Sequence, residues 1–167
     1  MHRLIALVLG VAVTVALCGC GGAKPDPLLG AARQSQYQQI AIVVAPGPGA
    51  DPQYVPIVLA EVQKMAHSRL TLLKRVDYPS GVAVDTSVSP PKPTIGPNLA
   101  GLDGLICLVY SSSGSNVIMD YHMFDLKTGQ QVWTTRLQKA GGDLKQRLMG
   151  HGYWAPSIIK NQFYGGK

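Results

Sequence analysis

The segment Ser111-Ser112-Ser113-Gly114-Ser115, followed closely by Asp120 and His122, brings together the residue types of a serine hydrolase triad. Such chemistry needs a nucleophile on a sharp turn with an imidazole and a carboxylate converging on it. The serines here form no G-x-S-x-G elbow, and Asp120 and His122 sit two apart on one strand, sharing a face. They read as solvated hairpin residues. The stretch "GPGADP" (47–52) follows an apolar run, as a phosphate-binding turn would. It lacks the third glycine of a dinucleotide fingerprint and any Gly-Lys-Ser/Thr, and Pro52 has no amide to offer an anion. His67, His122 and His151 are far apart, without HExxH or paired-ligand spacing, so no metal site is expected. Glu61 is the only glutamate, leaving acid–base work to eight scattered aspartates. Cys107 lies inside "GLICLVY" and reads as a buried, inert thiol. The expectation is a protein without catalysis, cofactor or metal.

The other two cysteines carry a different chemistry. Arg3 and then the uncharged run Leu4–Leu17 form a secretory signal, too short for the roughly 20 residues that span a bilayer. A Cys18–Cys20 disulfide is strained by the single intervening residue. Leu17-Cys18-Gly19-Cys20 instead resembles a bacterial lipobox, which implies cleavage before Cys20 and lipidation of its thiol and amino group. Several acyl chains on one residue exceed the two-signal threshold for stable anchoring. Gly21, in place of the aspartate of inner-membrane retention, favours an outer-membrane position in an organism that has one.

The elements that must position these residues follow from periodicity. Residues 1–19 read as signal, 20–38 as a lipidated tether, and 39–167 as a single α/β domain. The tether "GGAKPDPLLGAARQSQYQ" has no sustained apolar period, and its eighteen residues reach at most about 60 Å. "IAIVVAP" (40–46) is a strand buried on both faces. A helix from about 54 to 69 carries Val55, Val58, Leu59, Val62, Met65 and Ala66 at helical spacing, with Pro56 tolerable only in its first turn. "LTLLKRVDY" (70–78) and "DGLICLVYSSS" (103–113) read as strands, and 79–97, with five prolines, as a long loop preceding a short helical turn. Residues 115–126 and 131–139 flank the turn "KTGQ" as a hairpin. A short helix over 143–149 follows, and the rest of the 140–167 tail stays unassigned. The fold class is α/β: a two-layer mixed sheet with one main helix and a β-hairpin in its C-terminal half. The chain without its signal holds 14 Lys+Arg against 9 Asp+Glu, scattered without a basic run, which gives no support to nucleic-acid binding.

"IAIVVAP", "TLLKRVDYP" and "LAGLDGLICLVYSSSGSNVIMDYHMFDLKTGQQVWTTRL" together resemble the small domain shared by the curli-secretion lipoprotein, the lipoprotein activators of penicillin-binding proteins and the amino-terminal domain of the Tol-system β-propeller protein. The match runs over roughly 39–138, through Leu102-Asp103-Gly104, Met119 to Leu126, Lys127-Thr128-Gly129 and Val132-Trp133-Thr134. The resemblance implies a non-catalytic, membrane-anchored adaptor facing the periplasm and binding an envelope protein. The alternatives are a structural subunit that self-assembles in an envelope secretion or transport complex, or a hydrolase or small-ligand carrier. A curli-type pore needs long extra hairpins for which the chain has no room. Tyr121 and Trp133, on the hairpin, are the candidate partner-binding aromatics, with the 79–97 loop as a second surface and core packing as the competing role of both side chains.

Overall fold

The structure is a computed structural model that describes residues 27–113 and 116–166. It opens with helix α1 (Pro27–Gln36), then strand β1 (Gln39–Pro46) and a single 3-10 turn (Pro52–Tyr54), which leads into helix α2 (Val55–Arg69). Asp51 caps that turn by accepting from the Gln53 amide, and Pro56 sits where a missing N–H is harmless. Short strands β2 (Arg75–Asp77), β3 (Val84–Asp85) and β4 (Lys92–Pro93) precede three ten-residue strands, β5 (Gly104–Ser113), β6 (Asn116–Asp125) and β7 (Gln131–Ala140). Helix α3 (Leu144–Ile158), capped by Asp143, runs on into one π-helical turn (Ile159–Phe163).

The main sheet has the order β2-β1-β5-β6-β7, parallel between β2, β1 and β5 and antiparallel across β5, β6 and β7; β3 and β4 form a separate pair. This is the two-layer mixed α/β fold with its hairpin. Helices α2 and α3 lie side by side on one sheet face. Ile40, Ile42, Ile106, Leu108, Met119 and Tyr121 meet Val58, Val62, Leu148 and Ile159 there in one buried core. Gly152 lets the helices touch, because a Cβ at that position would lie 2.7 Å from the Val58 carbonyl oxygen.

Three elements differ from the sequence expectation. Residues 27–36 form a helix docked on the domain instead of part of a tether. Gly30 packs against the Tyr164 backbone, Arg33 lies 4.8 Å over the Phe163 ring and donates to the Phe163 carbonyl, and Gln36 donates to Asp125. These contacts are all to distant residues, so the local composition carries no sign of them. The strand expected over 70–78 shrinks to Arg75–Asp77, since Leu70 to Leu73 fold into a turn closed by the Leu73 amide. The tail after 140 supplies a second helix as long as α2, whose inner stripe is made largely of small residues, Gly152 and Ala155 beside Leu148.

Candidate functional site

Alternation along β6 divides its side chains between two environments. Val117, Met119, Tyr121 and Met123 point to the helices; Ile118, Asp120, His122 and Phe124 point to the other face. That face is covered at one end by a second cluster, in which Leu99, Leu102, Val82, Val84 and Leu126 sit over Ala41, Val43, Leu105, Cys107 and Phe124. Beyond the cluster the cover stops, and an open cleft of about 480 Å³ remains between the sheet and the Pro-rich loop.

One wall of the cleft is Thr86 and Val88 to Pro91, together with Gly47 and Pro48 at the end of β1. The Thr86 hydroxyl fastens this wall by donating to the Pro46 carbonyl at 2.9 Å, and Asp85 accepts from the Ser87 amide and hydroxyl. The floor is Val109, Ser111, Asp120 and His122, with Gln131, Thr134 and Arg136 of β7 beside them. Arg136 stands opposite Asp120 in register and donates to both its carboxylate oxygens, at 2.6 and 2.9 Å. The His122 Nδ1 lies 3.1 Å from Gln131 Oε1 and 3.4 Å from Thr134 Oγ1, and its ring stacks on Phe124 with centroids 6.5 Å apart. Burial lowers the His122 pKa, against the opposing pull of Gln131 and Asp120, and so favours the neutral ring.

Ser111, Asp120 and His122 thus share the cleft without forming a relay. Arg136 occupies both oxygens of Asp120, and Gln131 stands where a triad carboxylate would orient the imidazole. The cleft offers a neutral imidazole, an amide, hydroxyls and a fixed ion pair between apolar walls. Those are groups for recognition through hydrogen bonds and contact.

The residues singled out from the sequence fall in different places. Cys20 and the signal lie outside the described residues. Tyr121 is fully buried on the helix side of β6, so it is a core residue and not a surface contact. Trp133 is half-buried on the same side, 6.3 Å from the Tyr121 ring and 5.4 Å from Phe163, and it closes the edge of the core. Both point inward because they share the parity of Met123, which pairs with Trp133. The Pro-rich loop does border the cleft. Across the cleft from that loop stand His122, Thr134 and Arg136, which are not among the expected site residues; the polar parity of β6 is visible in the sequence, but the position of the loop over it is not. The exposed indole is Trp154, 49% accessible on α3, with Tyr153 edge-on at 5.2 Å.

Two further groups are set by burial. Desolvation pushes the Asp125 carboxyl up, but the amides of Thr128 and Lys127 and the hydroxyls of Tyr37 and Thr128 outweigh it and hold the group below the usual carboxylate range. The buried Cys107 thiol is pushed up to about 12. Among the described residues no three of His, Cys, Asp and Glu gather as a metal site, and no helix is long and apolar enough to cross a membrane.

Neither a protein-family model nor a curated protein sequence matches the chain. Solved structures to which it is similar include the PelC dodecamer from Paraburkholderia phytofirmans, at 10% identity, covering 72% of this chain and 88% of that one with a TM-score of 0.46. TolB from Acinetobacter baumannii matches at 16% identity over 86% of this chain and 30% of its own, TM-score 0.44. The lipoprotein GNA1162 from Neisseria meningitidis matches at 15% identity over 64% of this chain and 82% of its own, TM-score 0.43.

Proposed function

We propose that this chain is a non-catalytic protein-binding adaptor of the bacterial cell envelope, held on the periplasmic side of the outer membrane by lipid on Cys20, and that its partner is an envelope protein bound in the cleft between the Pro-rich loop and β6–β7. The observation that carries this reading is the cleft itself: an open, half-apolar recess on an otherwise covered sheet, whose acid and base are each committed to a neighbour. A rigid wall that includes Pro90 and Pro91 costs little conformational entropy on binding, and the ion pair can orient a polar backbone laid across it.

The test is cross-linking in intact cells. Val88→Asp and Arg136→Glu, both at the cleft, are expected to abolish the cross-linked partner, whereas Lys64→Asp on the exposed side of α2 retains it. Adducts of the chain with itself alone would favour the self-assembling subunit instead. Loss of the partner in all three variants, or in none, would rule out the cleft as the binding surface. The anchor is checked separately: a palmitate analogue is expected to label the wild-type protein and not Cys20→Ala.

A further inference from the structure

The first turns of α1 expose apolar side chains at the end of the chain nearest Cys20. Leu28 is 82% and Leu29 47% accessible, and Ala31 and Ala32 are exposed beside them. The last turns of the helix expose Gln34, Ser35 and Gln36 instead. The apolar surface is therefore graded along the helix axis. Scattered exposed leucines are ordinary on a soluble surface; here the course of the chain gives this pair a meaning. Only six residues, 21–26, separate Cys20 from Pro27, and they can span at most about 25 Å. The helix is also fixed to the body by Gly30, Arg33 and Gln36, so the exposed turn cannot swing away without breaking those contacts. The helix itself contains no Asp or Glu, Asp26 just before it is balanced in charge by Lys24, and its one cation, Arg33, is turned onto Phe163.

We infer that the first two turns of α1 are a membrane seat: Leu28 and Leu29 dip into the interfacial layer of the bilayer that holds the lipidated Cys20 and so fix the orientation of the domain on it. The inference rests on the anchor proposed above. A helix end of this kind enters the boundary between headgroups and acyl chains by about 5–10 Å, a depth within reach of the six-residue link. The lipid supplies attachment and the leucines supply orientation, so the cleft presents a constant aspect to the periplasm.

The test uses the lipidated protein reconstituted in vesicles of phosphatidylethanolamine and phosphatidylglycerol. Single cysteines introduced as Leu28→Cys, Ser35→Cys and Lys64→Cys carry an environment-sensitive fluorophore; the native Cys107 is buried. The seat requires blue-shifted emission at 28, strong quenching there by lipid-borne nitroxides, weaker quenching at 35 and none at 64. Equal emission and equal iodide quenching at all three sites, in protein that floats with the vesicles, overturns the seat and leaves the anchor standing. Protein that does not float at all overturns both.

Discussion

The two faces of the sheet are built from the same strands and do opposite work. On the helix side, Ile106, Leu108, Met119, Tyr121 and Met123 are sealed under α2 and α3, and the Tyr121 hydroxyl and His151 Nδ1 are buried there without partners. On the other side, one residue along each strand, Val109, Asp120 and His122 form a floor that the loop walls but does not roof. Side-chain parity alone separates them. The lesson is that packing constraint and binding capacity are distributed residue by residue along a single hairpin. A substitution is read correctly only once its side of the sheet is known.

The largest effect expected from this division comes from charge placed on the sealed face. Ile106→Asp and Val62→Asp should each cost more than about 4 kcal/mol and unfold the domain. Asp120→Ala, one strand away on the open face, should cost less than about 1 kcal/mol, because its ion pair is solvent-exposed. Thermal melts followed by circular dichroism decide it; equal losses would erase the distinction between the faces.

Acid should sharpen the same contrast with a smaller effect. Burial holds His151 at about 4, with the Val117 carbonyl partly opposing and Lys139 assisting. The unfolded chain takes up this proton near pH 6.5 and the folded one only near 4. The stability contributed by the neutral ring is therefore complete above 6.5 and lost as pH falls between those values, by up to about 3 kcal/mol. Urea unfolding at pH 7.5 and pH 5 should show a drop that His151→Gln largely removes. His122, on the open face, is shifted in the same direction, but the ring is only partly buried and reaches Gln131 and Thr134. His122→Gln should leave the drop nearly intact.

The smallest effect is a gain. Tyr121→Phe deletes a buried hydroxyl that has no partner, while keeping the ring against Trp133 and Leu108, and should stabilise the domain by about 1 kcal/mol. A loss of similar size would mean that the hydroxyl is engaged and that the sealed face is less uniform than its packing implies.

These contrasts also explain what could be read in the sequence. The central strands and α2 were legible because their apolar residues recur at the period of the element that buries them, and the hairpin because "KTGQ" sits between two alternating runs. Helix α3 was not, since its inner stripe is Gly152 and Ala155 and its interior holds Pro156, so neither apolar period nor propensity announces it. Helix α1 was hidden for another reason. Its stability comes from Phe163, Tyr164 and Asp125, all about ninety residues or more further along. The cleft was half legible: the Pro-rich loop stood out by composition and the polar parity of β6 by Asp120 and His122, whereas the folding of that loop over that face rests on contacts distant in sequence, such as Thr86 on the Pro46 carbonyl.

The docking of α1 gives residues 27–36 two possible lengths. Ten helical residues rise about 15 Å, but the same residues drawn out span about 35 Å. A load applied from the amino-terminal side meets Arg33 on Phe163 and Gln36 on Asp125 before it reaches β1, which is hydrogen-bonded to strands on both sides. Those few contacts are weaker than the sheet, and unwinding the whole helix adds about 20 Å of travel in all while the sheet and its cleft stay whole. Under the anchoring proposed above, the docked helix holds about 20 Å of chain in reserve between the membrane and the cleft.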